Sequence, residues 1–414
     1  MKKIKNSTVI YCFCALSILI MLFIIFTAPN KFIADERDFV PNIKTLAQYG
    51  FSLAFLNNIK GQSPGPLYQY VYIIVGYFVD LTPKNMRLVN FFFLLGDIYL
   101  LKTLIKSNVK KHALLISLLI LSIPMTWGIS CTAATEAPTF FFSLLSLLLL
   151  KQSLKEENYR SFIFAALGGL CAGTAIIGRS PFLMVLPSAL VLYFIPNRKA
   201  YISIFLFFSM LFPGIVFYTW KGLVPPDVQT IQSGYQIGYL LLAIAYFCIV
   251  TLIIYPEFFK IRKQNYYISI FIVIASFLAN VLYMNVRWLP VNGLFRTLNI
   301  IPKSMQTNIY YIFPSIIFGF CYVFAISLYK HVTKGKQTMW DMFLLTTTVL
   351  IMLTTVKSSA HFASKYILQS YIFFLIYISA DIRINKYLVL RMCIGTLIGI
   401  LSISSVFIIH NKFY

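Results

Sequence analysis

The chain has 414 residues, of which 59% are hydrophobic and only 11% are charged. Soluble domains carry roughly 25% charged residues, so a water-soluble globular protein is excluded. The formal charge of +23 comes from 35 Lys and Arg against 12 Asp and Glu. In a soluble protein that excess would suggest nucleic acid. Here the basic residues sit in short loops between apolar stretches, the pattern that orients membrane proteins, and no nucleic-acid partner is expected.

In chain order, apolar stretches fall at 8–27, 88–104, 113–129, 137–150, 161–177, 181–196, 200–220, 235–256, 266–284, 308–329, 339–356, 366–380 and 388–409. They predict an all-α polytopic membrane protein with about thirteen transmembrane helices. Met1-Lys2-Lys3-Ile4-Lys5 and the apolar run behind it look like a signal peptide. No small-x-small cleavage site followed by a soluble domain appears, so the first span is expected to stay. Leu67 to Val79 is shorter than the ~20 residues of a straight span, and is expected to be re-entrant or interfacial.

If 67–79 does not cross and the N-terminus is cytoplasmic, the basic clusters at 2–5, 102–111, 151–160, 198–199, 260–263, 330–336 and 383–386 all fall inside. If it crossed, the excess would face outward, against the positive-inside rule. The first outer loop then covers 28–87, within a single membrane domain whose motif-bearing part is 1–200 and whose more variable part is 201–414. The cysteines form no CxxC pair and no Cys/His spacing for zinc, so neither a disulfide framework nor a metal is expected.

In this topology the unusual polar clusters share the outer face. Asp35-Glu36-Arg37-Asp38 follows the first span almost at once. It suits a carboxylate held near the headgroups, and equally a helix cap or a solvated loop. Pro41 to Gly50 reads as a short amphipathic helix with Pro at its first position and Gly as its stop. Glu136, in Thr135-Glu136-Ala137-Pro138, suits a functional carboxylate or a cap on the next span. Arg179 interrupts a hairpin between Ile177 and Phe182. It suits an interfacial anchor or a phosphate clamp, since a guanidinium fork matches phosphate oxygens. His361 and Lys365 share a helical face if their segment is helical, and Arg287 and Arg296 flank an Asn-Gly turn. Asp97 is read as structural, paired with Lys102. Asp80 and Asp227 read as ordinary loop residues.

This ordered set resembles the GT-C superfamily of integral-membrane glycosyltransferases. The matching elements are Asp35-Glu36, Ser63-Pro64-Gly65-Pro66-Leu67-Tyr68, Thr135-Glu136, Arg179-Ser180-Pro181 and Lys365-Tyr366. Within it, the chain looks most like the α-1,2-glucosyltransferases of lipid-linked oligosaccharide assembly and bacterial aminoarabinose and mannosyl transferases. It departs from the glucosyltransferases at Arg37-Asp38, at Ser63-Pro64-Gly65-Pro66 and at Ser180.

The resemblance implies a GT-C-like architecture with juxtamembrane helices in the first outer loop. It implies transfer of a sugar from a polyprenyl-phosphate donor to a hydroxyl of a glycan, lipid or protein, with inversion and no cofactor. Asp35 would be the general base, with Glu36 as its alternative. Arg179, His361, Lys365 and Arg296 would bind the donor phosphate, and Glu136, Ser63, Pro64 and Tyr68 would contact substrate. The expected location is a bacterial inner membrane with the site facing outward. A polysaccharide polymerase or ligase and a lipid-linked oligosaccharide flippase are the rival readings.

Overall fold

The computed structural model describes residues 6–33, 35–63, 65–105, 112–155, 157–229, 234–284, 303–335, 337–357 and 363–413. It is helical throughout, with no strand among these residues. Among the described residues, eight helices are long and apolar enough to cross a bilayer: Ser7–Thr27, Tyr159–Gly178, Lys199–Trp220, Ile237–Ile254, Lys263–Leu282, Ile312–Thr333, Met339–Lys357 and Tyr387–Ile408. The chain is therefore a multi-pass, all-helical membrane protein.

The remaining expected spans are also helical, but differ in character. Pro83–Leu104 and Glu136–Ser153 bury polar and charged side chains along their length. Ser180–Phe194 and Lys365–Ile378 are short. Ala113–Ser122 and Pro124–Cys131 form a pair bent by 80°. Pro124 has no N–H to continue the ladder, so carbonyls upstream lose their usual donors. The Leu121 carbonyl instead accepts from Trp127 Nε1 at 2.9 Å and from Thr396 Oγ1 at 3.3 Å. A Cβ on Gly395 would overlap the Ser122 carbonyl, and one on Gly399 would overlap the Trp127 ring. The last helix thus packs onto the break through glycines, as close helix contacts in membranes require.

Glycines also fix helix 159–178 between its neighbours. A Cβ on Gly168 would crowd Ser146 and Leu149 of helix 136–153. A Cβ on Gly169 or Gly173 would overlap or crowd the backbone of helix 199–220 around Phe205 and Ser209. Close packing on both faces sets where the two ends of helix 159–178 lie.

The expected Asp97–Lys102 pair is corrected. Asp97 is buried and Lys102 is exposed, because positions five apart point to different faces of a helix. Asp97 Oδ1 has no hydrogen-bond partner among the described residues. Arg391, within the last helix, donates from its Nε to the Ile253 carbonyl at 2.9 Å.

Between the first helix and helix 83–104 lie four short helices, Asp35–Phe39, Pro41–Tyr49, Leu53–Asn58 and Leu67–Gly76. Pro41–Tyr49 ends at Gly50, whose φ of 63° lies in the left-handed region that glycine tolerates. Leu67–Gly76 has 10 residues, a rise of about 15 Å, half of a hydrocarbon core.

Arg87, in the first turns of helix 83–104, ties the loop shut. It donates to the carbonyls of Pro29 and Lys31, each at 2.8 Å, and pairs with Glu36 at 2.8 Å. The chain therefore leaves the first helix and enters helix 83–104 at the same end of the bundle. Asp227 also has a structural task, since its carboxylate accepts the Gly61 N–H at 2.7 Å.

Candidate functional site

Four of the charged residues singled out in the sequence meet at that same end. Each stands at a helix terminus. Asp35 opens helix 35–39, Glu136 opens helix 136–153, and Lys365 opens helix 365–378. Arg179 follows Gly178 in extended backbone, where helix 159–178 stops. The Lys365 ammonium pairs with Asp35 Oδ2 and lies 3.3 Å from Glu136 Oε1. Arg179 Nη2 donates to that same Glu136 oxygen. Carboxylates and cations thus alternate in the order Asp35, Lys365, Glu136, Arg179.

Exposure is highest at Asp35 and lowest at Glu136. The Asp35 side chain is 49% exposed, that of Lys365 23%, Arg179 8% and Glu136 0%. Asp35 is the member open to an incoming molecule, and Glu136 is the buried anchor. The start of an 18-residue helix favours the Glu136 carboxylate, because the helix dipole is positive there. Burial pulls the Lys365 ammonium down, but Glu136 and Asp35 outweigh it and the net direction is up. Lys365 therefore stays protonated at neutral pH. Arg179 Nε is buried and has no hydrogen-bond partner among the described residues.

Glu36 is a different kind of residue from its neighbour. It is 2% exposed. Oε1 accepts from Ala133 N–H at 2.8 Å and Arg87 Nε at 3.0 Å. Oε2 accepts from Ile33 N–H at 2.9 Å and Arg87 Nη2 at 2.8 Å. A carboxylate surrounded by four donors and closed to solvent has no room for a substrate hydroxyl. In this structure Glu36, expected as the alternative base, braces the first loop, helix 83–104 and the Thr132–Thr135 turn.

Tyr68 is also placed inside rather than at a surface. It is fully buried, with ring centroids 5.3 Å from Phe39 and 4.5 Å from Tyr72. Burial, Tyr72 and the Glu36 carboxylate push its phenol well up, so it keeps its proton. Its hydroxyl has no hydrogen-bond partner among the described residues. Tyr68, expected to contact substrate, packs beneath the acidic helix against Phe39. Ser63 is partly buried and is not one of the four charged partners. Pro64, His361, Arg287 and Arg296 lie outside the described residues.

Two glycines let the helix ends converge. A Cβ on Gly65 would overlap the Ile177 carbonyl oxygen, and one on Gly178 would overlap Thr139 Oγ1 and crowd Leu67. Gly65 is thus seated on the turn that presents Arg179, and that turn is seated on helix 136–153 one turn beyond Glu136.

Residues that the sequence did not single out hold the loop in place. Asn42 donates to the Lys60 carbonyl at 2.8 Å and to Gln62 Oε1 at 3.0 Å. Gln69 donates to the same Gln62 oxygen at 2.7 Å. Asn90 donates to the carbonyls of Thr132 and Ala134, both at 2.8 Å. The usable signal was amide side chains in otherwise apolar or turn-forming segments, which must find partners once buried.

No cluster of three or more His, Cys, Asp or Glu side chains among the described residues could hold a metal ion. A cavity of about 200 Å³ lined by Lys155, Asn158 and Arg160 lies at the other end of helix 159–178, about 30 Å away along its axis. It is separate from the four-residue cluster. In comparisons with known proteins, no family model matches the chain and no curated protein matches it.

Proposed function

We propose that the chain is a membrane glycosyltransferase that moves a sugar from a polyprenyl-phosphate donor to a hydroxyl acceptor on the extracytoplasmic face. The observation that carries this reading is the graded row of charges. A half-exposed carboxylate, Asp35, is paired with Lys365, and Lys365 shares the buried Glu136 with a second cation, Arg179. A base next to a phosphate clamp is what this reaction needs.

Asp35 takes the proton of the acceptor hydroxyl, for which a base must lie within hydrogen-bond reach of that oxygen. The oxygen bonds to the anomeric carbon from the face opposite the phosphate, and the bond from that carbon to the phosphate oxygen breaks. The configuration inverts, and the carbon passes through an oxocarbenium-like state. The departing carrier phosphate gains one negative charge. Lys365 and Arg179 stabilise that charge, an electrostatic contribution of about 2.7–4 kcal/mol per well-placed donor.

Thirteen crossings with the N-terminus inside and the cluster outside complete the proposal, in a bacterial inner membrane. A cysteine replacing Lys84, in a background with the native cysteines removed, is expected to react with an impermeant thiol reagent added outside intact cells. Protection at that position means that the loop faces inward and the proposed orientation is wrong.

The function itself is tested by Arg179→Ala in a transfer assay with a labelled polyprenyl-phosphate sugar. Loss of one phosphate donor is expected to lower kcat/KM for the donor by about 10²–10³-fold, with the acceptor KM changed little. Equal weakening toward both substrates counts against phosphate binding at Arg179.

A further inference from the structure

We propose that Lys365 is a donor-operated gate on the base. In the ligand-free cluster its ammonium occupies Asp35; when the donor binds, the carrier phosphate replaces Asp35 on Lys365 and releases the carboxylate for the acceptor hydroxyl. This rests on the glycosyltransferase reading and adds an order of events to it, donor before proton transfer.

The geometry makes Asp35 the exchangeable partner. An ammonium has three N–H donors, so Lys365 can keep one ligand while trading another. Of its two carboxylates, Glu136 is fully enclosed and is also held by Arg179, whereas half of the Asp35 side chain faces solvent. Water can replace Lys365 at Asp35 and cannot do so at Glu136. Arg179 Nε, buried and without a partner among the described residues, adds a second observation. It belongs to the guanidinium that shares the Glu136 oxygen with Lys365. An anion lying against both cations would satisfy that donor and the Lys365 proton that Asp35 now takes.

The charges balance at each stage. The cluster alone has two carboxylates and two cations. A sugar phosphodiester brings one negative charge and substitutes for the one negative charge of Asp35 on Lys365. The core of phosphate, Lys365, Glu136 and Arg179 is then neutral, and Asp35 no longer bonds to the Lys365 ammonium. Moving that positive charge off the carboxylate makes it more basic. In the transfer step Asp35 gains the acceptor proton and becomes neutral, while the leaving phosphate becomes a dianion facing Lys365 and Arg179. Release of the carrier, and of the proton to water, returns Lys365 to Asp35. Until the donor arrives, Asp35 Oδ2 is engaged by the Lys365 ammonium.

The test is binding of undecaprenyl phosphate to the full-length protein in phosphatidylcholine nanodiscs. Competition by Asp35 lowers the apparent affinity of the phosphate by the fraction of time that Lys365 is free. Asp35→Asn removes the competitor and is expected to bind the lipid about tenfold more tightly, for a Lys365 free about one-tenth of the time. Asp38→Asn removes the same charge from the same short helix without a recorded bond to Lys365, and is expected to bind as the wild type does. In a Lys365→Met background, Asp35→Asn is expected to give no gain. Asp35→Ala provides a second removal of the carboxylate should the Asn variant be poorly folded. Unchanged or weaker binding by both Asp35 variants overturns the gate. So does an equal gain from Asp38→Asn, which would indicate general charge repulsion rather than exchange at Lys365. Absence of lipid binding by wild type and every variant removes the carrier-phosphate reading itself, and the gate with it.

Discussion

Asp35→Asn is expected to slow sugar transfer by about 10²–10⁴-fold, the range that a positioned general base contributes. The melting temperature of the detergent-extracted protein is expected to stay near that of the wild type. The reason lies in where the side chain sits. Asp35 is 49% exposed, and an ion pair open to water contributes roughly 0–1 kcal/mol to stability. Its neighbour Glu36 gives the contrast, because its carboxylate is enclosed and fully bonded. Glu36→Gln should therefore act through folding, and Asp35→Asn through chemistry. Transfer at the normal rate by Asp35→Asn rejects the base assignment.

The largest effect on stability is expected from Arg87→Met. It removes a guanidinium that bonds to Glu36 and to the carbonyls of Pro29 and Lys31. Glu36 is then left as a buried charge with only the backbone N–H groups of Ile33 and Ala133. Stranding one partner of a buried ion pair destabilises by about 3–5 kcal/mol. The readouts are melting temperature and the yield of monodisperse protein after extraction. The double variant Glu36→Gln, Arg87→Met is expected to be less damaged than Arg87→Met alone, since no charge is stranded. An Arg87→Met protein that melts with the wild type would refute the brace.

Much of the cluster was legible before any coordinates. Asp35, Glu136, Arg179 and Lys365 stand out because a charge next to a long apolar run is rare and must be satisfied. The resemblance placed them in one ordered set. Chain order did not say that Lys365, the last of them, bridges the first two, a contact across 330 residues. Nor did it separate Asp35 from Glu36. Adjacent residues on a helix point about 100° apart, and only the packed neighbours reveal which one enters the interior. Arg87, at the edge of the first loop, carries no mark in the sequence that sets it apart, yet it is among the largest fully buried side chains of the described residues. Gly65 and Gly178 were present in the sequence as letters in motifs. Their role needs the opposing backbone and hydroxyl to be in place.

The sequence by itself determined that this is a multi-pass helical membrane protein, because hydropathy and length are local properties of a segment and the bilayer sets the length required. It also led to the expectation that the first loop returns to the side it left, since basic-residue placement biases orientation. Only the tertiary structure decided which acid is an enclosed brace and which stays open to solvent. That division depends on burial and on partners drawn from distant helix ends, and neither is encoded in the spacing of residues along one segment.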